Sequence, residues 1–219
     1  MGVKFSIPRL LFLQILSKIQ SVVPLKPSLP IFNFVLLTAE KNKISLRACD
    51  LISHVSFSLD NPIEQGGKLA LPAKKLWQLC KEITSPFLEI EEVSQDTTLL
   101  RTGSAVFKLS CANPEDFPAF PDLSKAEKLL IPQKTLKELL LRSSFAAAKD
   151  DNRQILNGIL FHLLNSKACF IGTDGKRLAR LQALLQSHHP AALSCVLPIK
   201  SVEEMIKLLS DEEDKECNL

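Results

Sequence analysis

The sequence has 219 residues, of which 46% are hydrophobic and 23% are charged, and its net charge is +3 at pH 7. The mean hydropathy of +0.11 and the seven glycines exclude disordered and collagen-like chains, and the length suits one large domain or two smaller ones. The pI of about 8.5 excludes the strong positive charge of a histone, so a nucleic-acid role depends on where the charges lie.

Cysteine spacing and apolar runs favour a protein of the cytoplasm. The six cysteines lie far apart and include no Cys-x-x-Cys pair, which is typical of reduced thiols. The N-terminal apolar run at 10–16 is too short for a bilayer span, which takes about 20 residues. We therefore expect a cytoplasmic location and no membrane partner.

Two periodicities predict the elements of the first half. Alternating apolar and polar residues predict strands, and apolar residues at intervals of three or four predict helices that begin at a proline. In chain order the sequence predicts a strand at 3–7, a helix at 8–22, a proline-rich loop at 24–30, strands at 32–38, 43–49, 53–59 and 68–71, a helix at 72–83, strands at 87–93, 97–102 and 106–110, and a linker at 113–121.

The second half repeats landmarks of the first. Helices are predicted at 132–149 and 198–209, each after a short strand, and a further strand at 168–172. The recurring pairs are Pro8 with Pro132 and Asp50 with Asp174, each 124 residues apart, and Pro72 with Pro198, 126 apart. Because so long a period indicates duplicated domains, we predict an α+β protein with domains at 1–123 and 124–219, each with antiparallel sheet and two helices.

The second copy is expected to be incomplete at its C-terminal end. With the same offset, residue 219 corresponds to residue 93 of the first copy, so the last two strands have no counterpart. The tail at 210–219 is polar and is expected to fray.

Positive charge concentrates in the predicted helices. The four helices hold eleven basic and four acidic residues, which gives them +7 and leaves −4 for the rest of the chain. One interpretation is a basic face that contacts phosphates without reading sequence. The other is a set of lysines that only solvate the outer helix faces. No stripe of aromatic residues supports stacking on single-stranded nucleic acid.

Catalytic patterns are lacking in the sequence. Neither glycine-rich phosphate-binding motif occurs. His188 and His189 have no cysteine or acid at metal-ligand spacing, which favours a solvated pair over a metal site. Asp50 and Asp174 could form a carboxylate pair, but each follows a strand, which favours turn formation. We expect no enzyme activity, no metal and no cofactor.

An ordered set of short motifs resembles one known family. The set comprises Lys4-Phe5-Ser6-Ile7, Pro27-Ser28-Leu29-Pro30-Ile31, Leu71-Pro72-Ala73-Lys74-Lys75, Asp116-Phe117-Pro118, Leu156-Asn157-Gly158 and Thr173-Asp174-Gly175-Lys176-Arg177-Leu178. Together with the duplication it resembles the bacterial DNA sliding clamp, the beta subunit of DNA polymerase III. The resemblance covers essentially the whole sequence.

The resemblance implies a fold and a mechanism. Family members have three similar domains per chain and form head-to-tail homodimer rings, with helices around a central hole and sheets outside. The ring encircles duplex DNA, slides along it and tethers the polymerase as a processivity factor. DNA polymerase III and the clamp loader bind through short clamp-binding peptides. The third domain would be absent from these 219 residues, so this chain alone is not expected to close a ring.

The resemblance also assigns residues by position. Lys26, Lys74 and Arg153 match DNA-contacting positions, although Gln154 and Ile155 stand where family members can carry aromatic residues. One wall of the peptide pocket would consist of Thr173, Gly175, Lys176, Arg177 and Leu178; without the resemblance this motif indicates a plain hairpin turn. The dimer interface would include Phe107 and Leu109, for which ordinary core positions are the alternative.

Two other classes of function stay open. A non-ring module with the same duplicated fold would bind linear duplex DNA or a protein. A hydrolase would use Asp50 or Asp174 with a metal ion.

Overall fold

The computed structural model describes residues 2–50, 52–123, 126, 128–212 and 214–219, and for residues 186–191 it describes the backbone only. The chain forms two compact units, Met1–Pro121 (the first unit) and Asp122–Leu219 (the second unit). Among the described residues no helix is long and apolar enough to cross a membrane.

The first unit consists of two antiparallel four-stranded sheets and two helices. The elements are β1 (Lys4–Pro8), α1 (Arg9–Ile19), β2 (Phe34–Glu40), β3 (Lys43–Cys49), β4 (His54–Asp60), β5 (Gly67–Pro72), α2 (Ala73–Glu82), β6 (Phe87–Ser94), β7 (Thr97–Thr102) and β8 (Ala105–Ser110). The sheets have the strand orders β4-β3-β2-β5 and β1-β6-β7-β8, and α1 packs against α2. Every strand and helix predicted for this half is therefore present, although α1 ends earlier than predicted.

A proline marks the start of each of the four helices. Pro8, Pro72, Pro132 and Pro198 each end a strand, with φ between −66° and −56°, and the helix begins at the next residue. Proline has no N–H to leave unsatisfied, and its fixed φ suits the change from extended to helical backbone. This local chemistry explains why the helix starts could be predicted from the sequence.

The core of the first unit lies between the helices and the inner faces of the sheets. In β3 the side chains of Ile44, Leu46 and Ala48 alternate with more exposed ones and are fully buried. From α1, Phe12 and Leu16 pack into the same cluster. Burying a side chain of this size contributes about 1.5–3 kcal/mol each, so the alternating strand pattern fixes which face of the sheet is inside.

The second unit contains a shorter set of elements. In chain order they are β9 (Leu130–Pro132), α3 (Gln133–Ser144), β10 (Gly158–Thr173), β11 (Leu178–Pro198), α4 (Ile199–Leu208) and β12 (Glu216–Asn218). β9 pairs antiparallel with β12, and β10 pairs antiparallel with β11.

β10 folds back on itself. The ring centroids of Phe161 and Phe170 lie 5.0 Å apart, whereas nine residues of straight strand would span about 30 Å. The reversal falls at Asn165, whose φ is 55°, in a conformation that asparagine tolerates. β11 pairs with the two halves of β10 through two separate segments, with a shift of register between them. The antiparallel strands expected of a repeat of the first unit are therefore present in two continuous elements.

Residues Glu216–Asn218 near the C-terminus form a strand, β12, which corrects the expectation that these residues fray. Cys217 pairs with Ile131 in the β12–β9 ladder, as Leu88 pairs with Ile7 in the first unit. Leu219 and Leu129 exchange backbone hydrogen bonds of 2.8 and 2.9 Å. This strand could not be predicted from its polar sequence. The strand has only three residues, too few to show an alternating pattern, and it is stabilised by pairing with β9, which is distant in the chain. The ladder also changes which residue of the first unit corresponds to Leu219. Leu219 lies opposite Leu129, as Ile90 lies opposite Phe5, so it corresponds to residue 90 and not to residue 93.

Helix α3 ends at Ser144 and not at 149 as predicted. The Oγ of Ser143 donates to the carbonyl of Leu139 at 2.7 Å, and the chain turns after it. Gly172 of β10 lies against the backbone carbonyl of Ser143 so closely that no side chain would fit. This close crossing holds the end of α3 beside the turn between β10 and β11.

Candidate nucleic-acid and peptide interfaces

Two of the proposed DNA-contacting residues are exposed lysines of the first unit. Lys26 lies in the proline-rich loop after α1, and Lys74 lies in the first turn of α2. Neither side chain has a carboxylate within ion-pair distance among the described residues. Their charges are available to a phosphate.

Arg153, the third proposed DNA-contacting residue, is in a different state. Its Nε and Nη2 atoms each lie 3.0 Å from a carboxylate oxygen of Asp151, and its backbone N–H donates to the same carboxylate at 2.8 Å. These hydrogen bonds from Arg153 lower the pKa of Asp151 to about 2. The charge of Arg153 is therefore already paired before any ligand arrives.

The structure also places Arg153 beside the proposed peptide pocket. Its guanidinium lies over Gly175, with Nη2 3.3 Å from the position that a Cβ would occupy. Gly175 has a φ of 86°, which favours glycine, and the absence of a side chain leaves room for the guanidinium. The sequence assigned these two residues to separate functions, and the fold brings them together.

The segment between β10 and β11 is a tight turn organised by two side chains. Asp174 Oδ1 accepts hydrogen bonds from the backbone N–H groups of Lys176 and Arg177, both at 3.0 Å. Thr173 Oγ1 donates to the carbonyl of Arg177 at 2.7 Å and accepts from the N–H of Gly175 at 3.1 Å. The hairpin interpretation of this motif is confirmed, and the turn fixes the directions of the side chains that follow it.

Exposed apolar groups surround the turn. Leu178 is 64% exposed, and Phe145, just after α3, is 61% exposed. The guanidinium of Arg177 lies 5.6 Å from the centroid of the Phe145 ring while its Nε donates to Asp174 at 3.0 Å. Ile155 is 70% exposed on the loop that carries Arg153. An apolar peptide side chain could pack here beside a positively charged group.

Sequence reasoning missed Phe145. It treated the segment as part of a longer helix, where an apolar residue is expected to face the core. The buried positions of α3 are Leu136, Leu139, Leu140 and Ser143, and Phe145 falls outside that stripe. This departure from helical spacing is the feature of the sequence that could have identified Phe145 as a surface residue.

The two proposed interface residues of β8 have different environments. Leu109 is fully buried in the core of the first unit. This placement agrees with the core alternative, and a role of Leu109 in a dimer interface stays a prediction. Phe107 is half-buried and lines a cavity of about 470 Å³ with Leu79, Ile83 and Ala105.

Asp50 and Asp174 both act as turn formers. Asp50 Oδ1 accepts from the N–H groups of Ile52 and Ser53 at 2.7 and 2.6 Å. Among the described residues no group of three or more histidine, cysteine or acidic side chains could hold a metal ion. His188 and His189 have extended backbone in β11, and their side chains lie outside the described residues.

Comparisons with known families agree on both units. The family model of the DNA polymerase III beta subunit N-terminal domain matches residues 3–121, and that of its central domain matches residues 130–218. The fold and the matched residues define a DNA clamp. The chain belongs to the family of the DNA polymerase III beta subunit, the beta sliding clamps.

Individual relatives give the same result. The beta sliding clamp of Chlamydia pneumoniae is 34% identical over 209 residues, which are 95% of this chain and 57% of that protein. The beta sliding clamp of Salmonella typhimurium is 31% identical over 217 residues, which are 96% of this chain and 58% of that protein. The chain thus spans little more than half the length of these relatives.

Solved structures confirm the clamp fold. The crystal structure of the DNA polymerase III beta subunit from Pseudomonas aeruginosa has a TM-score of 0.92 and 29% identity, and the match covers 98% of this chain and 58% of that one. The sliding clamp from Bacillus subtilis has a TM-score of 0.96 at 24% identity, covers 100% of this chain and 59% of that one, and supports the fold alone.

Proposed function

We propose that the protein acts as a sliding clamp in bacterial DNA replication, a non-catalytic processivity factor that encircles duplex DNA and tethers DNA polymerase III. The observation that carries the proposal is that both units match, in order, the two consecutive domains of the beta subunit. A ring acts by topology, so weak contacts to phosphates are sufficient and permit sliding. The protein would work in the cytoplasm, with the chromosome.

The domain assignment within this proposal follows the repeat. We assign residues 1–123 to the first clamp domain and 124–219 to a shorter second one; the observed boundary between the units falls two residues earlier, after Pro121. The family resemblance implies a third domain for ring closure and a homodimer. These 219 residues would supply part of the DNA contact and one wall of the peptide pocket of that assembly.

DNA contact is assigned to Lys26 and Lys74, whose charges are unpaired among the described residues, and to Arg153 once it is released from Asp151. Phosphate contacts by exposed lysines are independent of sequence and sensitive to salt. Phe107 is assigned to the dimer interface because it keeps exposed surface at the edge strand β8.

Peptide binding is assigned to the turn at 173–178. Thr173, Gly175, Lys176, Arg177 and Leu178 would form one wall of the pocket for clamp-binding peptides of DNA polymerase III and the clamp loader. The exposed leucine offers apolar contact, and the arginine beside it offers hydrogen-bond donors.

Retention on circular DNA tests the clamp function. The protein purified from its source cells is incubated with nicked circular DNA, clamp loader and ATP, then passed over a sizing column at high salt. A clamp stays on the circle and is lost when the DNA is linearised, because only topology resists salt. Salt-sensitive binding to linear and circular DNA alike would instead favour a non-ring binding module. The intact mass of the same sample shows whether it exceeds 24.3 kDa.

A further inference from the structure

Three of the five basic residues in the second unit's helices are paired with carboxylates. Lys137 pairs with Asp211 at 2.7 Å, Arg142 with Glu138 at 3.8 Å and Lys207 with Glu204 at 2.7 Å. Lys134 and Lys200 also take part in interactions. Beyond the helices, Lys149 pairs with Glu203 at 3.0 Å. The charges of Lys137, Arg142 and Lys207 are therefore already paired with carboxylates before a ligand binds.

The helices of the first unit differ. Lys18, Lys74, Lys75 and Lys81 are exposed, and no described carboxylate lies within ion-pair distance of any of them. Arg9 is committed to the end of α2, because its Nη1 donates to the carbonyl of Cys80 at 3.1 Å. The Nζ of Lys18 lies 5.8 Å from the centroid of the Phe57 ring of β4. Four lysines on two packed helices therefore have no carboxylate partner among the described residues.

Trp77 connects α1 with the stripe of α2 that carries Lys74 and Lys81. It lies three residues after Lys74 and four before Lys81, which places all three along one stripe of α2. Its indole Nε1 donates to Ser17 Oγ of α1 at 3.0 Å, next to Lys18. The Nζ of Lys81 lies 5.3 Å from the Trp77 ring centroid, which orients the lysine at the junction of the two helices.

We propose that the α1–α2 surface of the first unit, with Lys18, Lys75 and Lys81 besides Lys74, carries most of the phosphate contact of this chain, and that the helices of the second unit contribute little. The inference rests on the proposed function, since it names where that function's DNA contact resides. A lysine in an ion pair must leave its carboxylate before it can bind a phosphate. A lysine without such a partner binds the phosphate directly and releases the counterions condensed on the DNA.

Salt-dependent binding to a linear duplex tests this distribution. Fluorescence anisotropy gives the affinity of the 219-residue chain at several salt concentrations. The triple variant K18Q/K75Q/K81Q is expected to bind at least ~10-fold more weakly near 50 mM salt. The salt slope, which is the magnitude of the slope of log affinity against log salt concentration, should fall by about 2–3, because each lost phosphate contact removes about 0.9. Circular dichroism melting checks that the exposed substitutions leave the fold intact.

Two control variants separate contact from overall charge. K41Q/K43Q/K108Q removes three exposed lysines of the same unit that lie outside the helices. K137Q/D211N/E138Q/R142Q removes two ion pairs of α3 without changing net charge. Both should change affinity by less than ~3-fold.

An equal loss in either control, or no loss in the first variant, would overturn the inference and leave the proposed function intact. No binding at all by the unaltered chain at low salt would count against the DNA contact of the proposed function and therefore against both.

Discussion

Arg153 binds both carboxylate oxygens of Asp151, with Nε and Nη2 each at 3.0 Å. The two residues are separated by a single position, so the pair closes a small loop that also includes the backbone N–H of Arg153. This geometry gives Asp151 three donors from one neighbour and holds the guanidinium over Gly175. The Arg153 loop, which the sequence assigns to DNA contact, therefore lies against the turn at 173–178, which it assigns to peptide binding.

The first prediction concerns the titration of Asp151. Its pKa in the folded protein is about 2, chiefly because of the side-chain hydrogen bonds of Arg153. This pKa is below the value of about 3.9 for Asp in the unfolded chain. The ionised Asp151 carboxylate therefore contributes its full stabilisation above about pH 3.9, and this stabilisation is lost as the pH falls through about 2. NMR titration of the carboxyl carbon should give a midpoint near 2, and R153Q should raise it toward the ordinary value. An unchanged midpoint in R153Q would contradict the role of the guanidinium.

A second prediction releases the arginine. D151N removes the carboxylate charge, so Arg153 becomes available to a phosphate. Duplex affinity should rise at low salt, and the salt slope should steepen by up to ~0.9, one phosphate contact. D60N, which removes an exposed acid at the end of β4, is the matched control for net charge. The prediction is wrong if the two variants gain equally.

A third prediction concerns the turn between β10 and β11. D174A removes the oxygen that accepts from the N–H groups of Lys176 and Arg177. These two amides should exchange hydrogen faster, and binding of a clamp-binding peptide should weaken. Exchange measured by NMR checks the first effect. The control is D150A, since Asp150 is exposed and has no hydrogen bond to a described residue; unchanged exchange in D174A would show that Thr173 alone holds the turn.

Thiol reactivity gives a fourth prediction. Burial raises the pKa of Cys80 to about 12 and that of Cys49 to about 11, while Cys195 is exposed. Iodoacetamide at pH 8 should therefore modify Cys195 first and leave Cys49 and Cys80 unmodified until the protein unfolds, because the thiolate is the reactive form. Mass spectrometry of peptides over time measures the order. Rapid labelling of Cys80 in native protein would mean that the core opens.

The fifth prediction tests the β9–β12 ladder. Ile131 is fully buried, whereas its neighbour Leu130 is 44% exposed. I131A should cost about 2–5 kcal/mol of unfolding free energy and speed hydrogen exchange at 216–219, while L130A should cost clearly less. Urea unfolding and exchange mass spectrometry provide the two readouts. Equal effects of the two substitutions would show that the ladder does not cover the core.

Local chemistry explains what could be predicted. The four strand–proline–helix junctions, the alternation in β3 and the turn chemistry of Asp50 and Asp174 each depend on a few neighbouring residues. These features suffice to predict the duplication and the clamp resemblance, and the comparisons confirm the resemblance. The proposed DNA and peptide residues stay predictions, although the structure places Lys26 and Lys74 on the surface and Leu109 in the core.

By itself the sequence determined the elements, their order and the family, because period, proline position and turn residues are properties of short segments. Only the tertiary structure decided which charges are available. Lys137 and Asp211 are far apart in the chain and 2.7 Å apart in space, while Lys75 has no such partner among the described residues. The same holds for β12, whose strand exists because β9 lies beside it. Pairing energies depend on distances of a few ångströms between residues far apart in the chain, and no local pattern encodes those distances.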